Sequence, residues 1–349
     1  GIAAGLGYIG LHWTHSYWLF MLIFVGVVAT GKSIGLGGHP LMTAINRWFV
    51  RRLSLALAIS STGGSIGGVL LLPLIILGVH TVGWRDVMLY SGIFMAIIVI
   101  PLAMFVRHSP ERMGIEPEGM HLVRRREAII GLTQTTSPIS LDFTVSEALR
   151  TRSFWVMLAA SVIRISIWGA ISVHAVQIIQ WKGIDERAAG FMFSLMFLLS
   201  IPMTLSAGLL GMRFPPQPLL AMGTAGIGLG MLALVLLDGQ PAVYIFVVLM
   251  AIGEGTGSLN WVALGDFFGR RSFATLFGIM SACFNIGLLG TPIYAGWIRD
   301  THNESYSLVL LTFAPLYGIC ALLFLLMRKP PTPVRSTGEV SRERPARGI

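Results

Sequence analysis

Residues 266–306 decide the fold, and they read DFFGRRSFATLFGIMSACFNIGLLGTPIYAGWIRDTHNESY. A short turn with Arg270 and Arg271 comes first, an apolar run over residues 273–297 follows, and a polar loop ends the stretch. At about 1.5 Å per helical residue, a run of about 25 residues crosses the roughly 30 Å hydrocarbon core of a bilayer. The stretch therefore predicts a membrane-spanning helix between a basic turn and a polar loop.

The composition of the whole chain agrees with a membrane environment. Hydrophobic residues make up 54% and charged residues 12% of the sequence, whose mean hydropathy is +0.75. A typical soluble domain has roughly 25% charged residues, so this chain cannot cover its apolar surface in water. The net charge of +9 lies mainly in short turns and in the C-terminal tail, which indicates topology signals and no nucleic-acid partner. Cys283 and Cys320 lie inside apolar runs and predict neither a disulfide nor a metal site.

The alternation of apolar run and polar connector repeats along the chain. Residues 1–13 are apolar but too short to cross a bilayer, so we expect the chain to begin partway through a span. The further apolar runs cover residues 17–49, 53–79, 87–106, 154–179, 188–212, 219–237, 242–264, 273–297 and 308–327. The pattern predicts an all-α membrane protein with about ten spans.

The arginines and lysines of the connectors are distributed unequally between the two predicted sides. Nineteen of them lie in one set of alternate connectors, which includes residues 107–152 and the tail, and four lie in the other set. Because cytoplasmic loops are enriched in basic residues, we expect the linker 107–152 and the C-terminus to be cytoplasmic. The expected location is the inner (plasma) membrane of the cell.

Several sequence segments carry a resemblance to a known family. In chain order they are NRWFVRRLSLALAISSTGGSIGG (46–68), GWR (83–85), SPERMGIEPEG (109–119), FTVSEALRTRSFW (143–155), FFGRRSFATLFG (267–278) and RDTHNESY (299–306). In this order and spacing the chain resembles the major facilitator superfamily, within it the branch of monocarboxylate porters and oxalate/formate-type exchangers. The resemblance implies a helical bundle of six plus six spans, of which about ten of the expected twelve are present here, and transport by alternating access.

On that resemblance the chain divides into four parts. Residues 1–106 correspond to the remainder of the N-terminal half (family helices 3–6), and residues 107–152 are the cytoplasmic linker. Residues 153–328 form the C-terminal six-helix half, and residues 329–349 form a cytoplasmic tail. The end of the linker also predicts a short amphipathic helix with Phe143, Val145 and Leu149 towards the membrane surface.

Three charged residues lie inside the predicted spans. Lys32, Arg164 and Glu254 are 12 to 15 residues from the nearest basic or acidic residue at a cytoplasmic helix end, which places them roughly 18–22 Å deep, near the bilayer midplane. Charges at this depth need a partner or a water-filled cavity. The resemblance assigns them to family helices 4, 7 and 10, which line the central cavity. We therefore predict a substrate site in which Arg164 and Lys32 bind a carboxylate.

Further residues are candidates for the same site. Trp168, one turn from Arg164, and Asn260 are predicted to contact substrate. Glu254 is a candidate for carrying the coupling proton, and so is His174. Purely structural interpretations stay open for these residues. Lys32 could extend to a membrane interface, Arg164 and Glu254 could form a structural pair, and His174 could only stabilise packing.

The arginine pairs at the cytoplasmic helix ends have two interpretations. Arg51 and Arg52 occupy the same position in the first half as Arg270 and Arg271 occupy in the second. They are either topology determinants or parts of a gate, for example through an ion pair between Asp266 and a neighbouring arginine.

The sequence contains no phosphate-binding loop, nucleophile–base pair or metal-ligand cluster, so it predicts no enzyme, no cofactor and no metal. It predicts a secondary transporter for a small organic anion, a mono- or dicarboxylate, with protons or a counter-substrate as the coupling partner. Proton symport and exchange both stay open, because Gly64 stands where exchangers of this branch have a proline. The alternatives are a transporter-like ligand sensor that binds a partner, and a carrier of a neutral solute or drug.

Overall fold

The computed structural model describes residues 2–29, 39–105, 110, 114–115, 118 and 142–331. Apart from one bridge between Phe49 and Glu118, the regular elements in this part of the chain are helices. In chain order they are α1 (Ile2–His12), α2 (Tyr17–Ile23, continued by a π-helical segment Phe24–Ala29), α3 (His39–Trp48), α4 (Leu53–Thr81), α5 (Trp84–Phe105), α6 (Val145–Leu149), α7 (Arg152–Trp181), α8 (Glu186–Leu210), α9 (Pro216–Leu236), α10 (Gly239–Gly255), α11 (Leu259–Phe268), α12 (Phe273–Thr301) and α13 (Ser307–Leu326).

Eight segments of the described residues are long and apolar enough to cross a membrane. They are α4, residues Trp84–Leu102 of α5, α7, α8, α9, the pair α10–α11 (Gly239–Phe268), α12 and α13. Two shorter apolar helices, Ile2–His12 and Tyr17–Val28, precede them. The all-α membrane fold predicted from the sequence is confirmed, and its ten predicted spans agree roughly with eight full spans and two shorter helices.

Polar caps place the helix starts earlier than the apolar pattern does. Thr151 accepts a hydrogen bond from the backbone N–H of Phe154 at 3.3 Å, and α7 begins at Arg152. Asp185 accepts one from the N–H of Ala188 at 3.0 Å, and α8 begins at Glu186. Both helices therefore begin two residues before the predicted spans, because a polar first turn is invisible to hydropathy.

The second half of the chain packs through small residues. In α9, Gly228 lies against the carbonyl of Ala314 in α13, and Gly230 lies against Phe246 and Leu249 in α10. A methyl group would stand 3.1 Å from the Ala314 carbonyl at Gly228 and 3.2 Å from Leu249 at Gly230. Such close approach of backbones replaces hydrophobic burial as the main attraction between helices in lipid.

The two halves of the chain meet along α4 and α8. Ser54 of α4 donates a hydrogen bond to the carbonyl of Gly208 at 2.6 Å, and the hydroxyls of Ser65 and Ser200 are 2.8 Å apart. At the next turn of α4, Gly68 contacts the ring of Phe197. These contacts run from the start of α4, next to the arginine-rich turns, to its middle.

Gly208→Ala is expected to loosen this contact. The added methyl group would collide with Ala58 and stand 3.3 Å from the carbonyl of Ser54, and overpacking of this kind costs about 1–3 kcal/mol. Thermal unfolding in detergent should therefore occur at a lower temperature than in the wild type. Gly190→Ala, in the same helix but facing open space, is the matched control, and an equal effect of both changes would contradict the explanation.

The end of the linker docks on the protein core instead of the membrane surface. Helix α6 begins with a capping box, in which the side chains of Thr144 and Glu147 bond to each other's backbone N–H groups. Phe143 is 6% exposed and its ring is 5.6 Å from that of Phe268. The predicted orientation of the Phe143 face towards the membrane surface is therefore wrong, because α11 offers this face an apolar partner that the local sequence does not reveal.

Candidate functional site

A cavity of about 180 Å³ lies between the two halves of the chain. Its wall comes from α4, α7, α8, α10, α11 and the connection between α10 and α11. The lining residues are Ser61, Ser65, Arg164, Ile165, Trp168, Thr204, Glu254, Gly257, Ser258, Asn260 and Trp261. Four of the five predicted substrate-contacting residues are thus brought together, while Lys32 lies outside the described residues.

A break in the span Gly239–Phe268 forms one side of the cavity. Helix α10 ends at Gly255 and α11 begins at Leu259, within the glycine-rich sequence GEGTGS. In this turn the backbone N–H groups of Thr256 and Gly257 bond three residues back, to Gly253 and Glu254. Glycine destabilises a helix interior, and the hydroxyl of Thr256 donates to the Gly253 carbonyl at 2.7 Å. The local sequence therefore favours a break at mid-membrane depth.

Arg164 is 8% exposed, and its guanidinium lies against this break. Its Nη2 donates to the carbonyl of Gly253 at 2.8 Å, whereas its Nε has no hydrogen-bond partner. The phenol of Tyr317 in α13 donates to the backbone carbonyl of Arg164 at 3.2 Å. The guanidinium is thus held by the Gly253 carbonyl and keeps an unused donor at Nε, although buried donors are normally satisfied in folded proteins.

Glu254 lines the same cavity and is half-buried. None of the ion pairs among the described residues, taken to a limit of 4.0 Å, joins Glu254 to Arg164. The structural Arg164–Glu254 pair that the sequence left open is therefore not formed. Both charges contribute to the cavity wall instead.

Asn260 and Trp168, which the sequence indicated, complete the wall together with Trp261. The side-chain amide of Asn260 donates to the hydroxyl of Ser161 in α7 at 2.9 Å, which joins α11 to α7. Trp261 is held edge-on against Phe277, with 4.4 Å between the ring centroids. Trp168 lies one turn after Arg164 and faces the same cavity.

Sequence reasoning missed the hydroxyl groups of the site. Ser61, Ser65, Thr204 and Ser258 line the cavity, and the hydroxyl of Ser258, 4% exposed as a residue, has no partner. Serine and threonine are common in membrane helices, where they usually bond to their own backbone. Their presence alone therefore carried no signal. The packing of α4 against α8 brings Ser61, Ser65 and Thr204 to the cavity, and the break between α10 and α11 brings Ser258 there.

His174 does not line this cavity. Its Nδ1 is 2.9 Å from the phenol oxygen of Tyr306 and its Nε2 is 3.1 Å from the carbonyl of Pro292. Because a carbonyl can only accept, Nε2 carries the proton and Nδ1 accepts from Tyr306, whose pKa is raised mainly by burial. The histidine joins α7 to α12 and to the start of α13, as expected for the purely structural role that the sequence left open.

The arginine-rich turns make contacts that differ from the expected ion pair. Asp266 pairs with Nζ of Lys329 at 2.7 Å instead of a neighbouring arginine. Nε of Arg270 donates to the backbone carbonyl of Asn46 at 2.9 Å, a contact between the two halves. The missed partner, Lys329, is 63 residues away in sequence, so the local pattern of acid and arginines could not indicate it.

Linker carboxylates stabilise both double-arginine turns. Asp142 accepts hydrogen bonds from the backbone N–H groups of Arg270 and Arg271 at 2.8 and 3.0 Å. In the first half, Glu118 accepts one from the N–H of Arg52 at 3.2 Å, while Arg51 is exposed.

Among the described residues, no group of three or more His, Cys, Asp or Glu side chains could hold a metal ion.

Comparison with known proteins agrees with this architecture. The sequence profile of the Major Facilitator Superfamily matches residues 1–257 and 167–348. Monocarboxylate transporter 12 of Xenopus laevis is 21% identical over 348 residues, covering 93% of this chain and 73% of the relative. The glycerol-3-phosphate transporter of Bacillus subtilis (strain 168) is 22% identical, covering 92% and 73%. The crystal structure of the human organic anion transporter MFSD10 (TETRAN) superimposes with a TM-score of 0.67 at 13% identity, covering 93% of this chain and 75% of that one.

Proposed function

Because the chain belongs to the Major Facilitator Superfamily, it is a multi-pass membrane transport protein and not an enzyme, and we propose that it carries a small organic anion, a mono- or dicarboxylate, by alternating access. The observation that carries the proposal is the buried Arg164, which lines a cavity between the two halves and whose Nε is a charged donor without a hydrogen-bond partner. A substrate carboxylate supplies the missing acceptor, and charge-assisted hydrogen bonds of this kind are the strong ones. Lys32, by the sequence argument, adds a second positive charge.

Glu254 has the coupling role in this proposal. Its carboxylate shares the cavity with Arg164 without an ion pair to it, so its negative charge opposes an entering anion. Protonation of Glu254 removes that opposition and leaves the positive charge of Arg164 for the substrate. Substrate and proton then move together, which is symport; movement of a second anion in the reverse direction, with Glu254 unchanged, is exchange.

The contacts between the halves supply the gate. The hydrogen bonds from Arg270 to Asn46 and from Ser54 to Gly208 join the halves on the side of the arginine-rich turns, where the Asp266–Lys329 pair within the C-terminal part also lies. The distribution of basic residues assigns this side to the cytoplasm of a cell whose inner membrane holds the protein. The conformation described here is then closed towards the cytoplasm, and release of substrate requires these contacts to separate.

The relatives support an anionic substrate by their names alone: monocarboxylate, glycerol-3-phosphate and organic anion. The chain spans between 62 and 73% of the length of the monocarboxylate transporter 12 proteins it matches. Activity must therefore be measured on the full-length protein.

Counterflow into proteoliposomes tests the proposal. Proteoliposomes that contain the full-length protein are preloaded with one class of unlabelled solute. The uptake of labelled carboxylates, sugars or drugs is then followed. We expect exchange of carboxylates only. Saturable binding without any flux would favour the sensor, and uptake of a neutral solute or drug would favour that alternative class of carrier.

Gly257→Ala is expected to weaken substrate binding without unfolding the protein. The added methyl group would stand 3.1 and 3.2 Å from the two terminal nitrogens of Arg164, so the guanidinium must shift by a few tenths of an ångström. A loss of about 1 kcal/mol in binding corresponds to a roughly fivefold higher apparent KM for carboxylate. Gly278→Ala, whose methyl group would meet open space, should leave KM unchanged. An unchanged KM in the Gly257→Ala variant would indicate that Arg164 does not bind the substrate.

A further inference from the structure

Neutral hydrogen-bonding groups outnumber charges in the cavity wall. Besides Arg164 and Glu254 the described lining offers four hydroxyl groups and one amide, from Ser61, Ser65, Thr204, Ser258 and Asn260. An unsubstituted short-chain carboxylate brings two acceptor oxygens at one end and hydrocarbon at the other. Its hydrocarbon end would face these groups and leave the hydroxyl of Ser258, which has no partner in the protein, unsatisfied. The wall is therefore matched to a ligand with more polar groups than a carboxylate alone.

Ser258 shows that a second polar group of the ligand is expected next to the first. Its hydroxyl and Nε of Arg164 are both buried without a hydrogen-bond partner, and both residues line the cavity. Buried polar atoms of native proteins are rarely left without a partner, and those in a cavity are normally satisfied by water or ligand. Residue 258 directly follows Gly257, against which the Arg164 guanidinium lies. The two unsatisfied groups thus belong to one region of the wall.

The wall also contains acceptors that a plain carboxylate cannot satisfy. The Glu254 carboxyl group accepts hydrogen bonds whether or not it is protonated, and Thr204, which donates its own hydrogen to the carbonyl of Ser200 at 2.7 Å, can only accept from a ligand. A plain carboxylate has no hydrogen to donate to either. Hydroxyl groups on the ligand can donate to both. The indoles of Trp168 and Trp261 provide apolar surface for the carbon chain between those groups.

We propose that the preferred substrate is a short carboxylate whose carbon chain carries several hydroxyl groups. Arg164 binds the carboxylate, and Ser258 donates to a neighbouring oxygen of the chain. Glu254 and Thr204 accept hydrogen bonds from its hydroxyl groups. This inference rests on the proposed function, since it takes Arg164 as the carboxylate receptor. A cavity of about 180 Å³ is smaller than the roughly 300–1,000 Å³ of pockets for drug-sized ligands, so the chain is short.

Competition in counterflow tests the inference on the full-length protein. Unlabelled four-carbon compounds are matched in length: butyrate is the plain acid, threonate the trihydroxy acid, 2-aminobutyrate the zwitterion and threitol the neutral polyol. We expect threonate to halve the uptake of a labelled carboxylate at a concentration at least tenfold lower than butyrate. Butyrate that competes as well as threonate, or 2-aminobutyrate that competes better, would overturn the inference.

Variants of the cavity wall test which side chains produce the preference for threonate over butyrate. Ser258→Ala should reduce the ratio between threonate and butyrate at least threefold, because it removes a hydrogen bond that only the hydroxylated acid receives. All variants are compared at equal amounts of folded protein. Ser194→Ala in α8, whose hydroxyl bonds to its own backbone at Gly190, is the matched control and should keep the wild-type ratio. Thr204→Val removes an accepting hydroxyl at nearly constant shape and should reduce the ratio as well, and an unchanged ratio in both variants would contradict the assignment.

Failure of this inference differs from failure of the proposed function. If butyrate is preferred and its uptake requires Arg164, the anion carrier stands and only the hydroxylated substrate is wrong. If threitol is taken up and the carboxylates are not, in wild type and in Arg164→Gln alike, both proposals are wrong.

Discussion

Arg164→Gln is expected to reduce carboxylate counterflow by about 10- to 100-fold. A hydrogen bond to a charged group contributes about 1.5–3 kcal/mol, and each 1.4 kcal/mol is a factor of ten in affinity. Glutamine keeps part of the length and polarity of the side chain, so the cavity keeps its shape while the positive charge and the Nε donor are lost. The measurement is the rate of labelled carboxylate exchange in proteoliposomes that contain equal amounts of folded protein.

Two further variants make the Arg164 result specific. Arg152→Gln changes an exposed arginine at the start of the same helix, α7, and should leave exchange within a factor of two. Arg164→Lys keeps the charge but not the planar fork, so it should recover part of the lost activity. Wild-type exchange in Arg164→Gln would show that this guanidinium does not bind substrate, and a new site would have to be sought.

Glu254→Gln is expected to separate exchange from proton coupling. Glutamine resembles the protonated carboxyl group in shape and charge but cannot release a proton. The variant should therefore bind carboxylate and support counterflow at the wild-type level or above. It should lose the accumulation of carboxylate that an inwardly directed proton gradient drives in the wild type, and its exchange rate should no longer depend on pH.

The measurement for Glu254 compares counterflow with gradient-driven uptake in the same vesicles. Glu186→Gln, at the exposed start of α8, is the matched control and should behave as the wild type in both assays. If Glu254→Gln still accumulates carboxylate against its gradient, the coupling proton is carried elsewhere. If the wild type itself shows no gradient-driven uptake, the protein is an exchanger and Glu254 has only an electrostatic effect on the anion.

The sequence predicts the membrane fold well, because the bilayer imposes a single length and a single polarity on every span. Residues 273–297 were identified from this rule, and they lie within α12, Phe273–Thr301. The same rule identified Arg164 and Glu254, since a charge inside an apolar run is conspicuous against its neighbours. Their presence in one cavity is the part of the site that depth and helix order could indicate.

The rest of the site depends on contacts between distant segments. Ser65 reaches the cavity because α4 packs on α8, and its partner Ser200 is 135 residues away in sequence. Ser258 becomes a cavity residue because the span breaks before it, and a run of glycines is as compatible with close helix packing as with a break. The partner of Asp266 lies beyond the last helix. Hydropathy describes each segment against lipid and contains no information on these pairings.

The break between α10 and α11 turns the second segment into a lever. Helix α11 has ten residues and is therefore about 15 Å long, with Ser258 and the cavity at one end and the turn of Arg270 just beyond the other. A tilt of about 10° at the break would displace the far end by about 2.6 Å. That displacement is close to the whole length of a hydrogen bond such as the one from Arg270 to Asn46. If the protein transports by alternating access as proposed, a small adjustment of the wall around a bound molecule would be enough to separate this contact at the far end of α11, whereas an unbroken helix would have to move along its entire length.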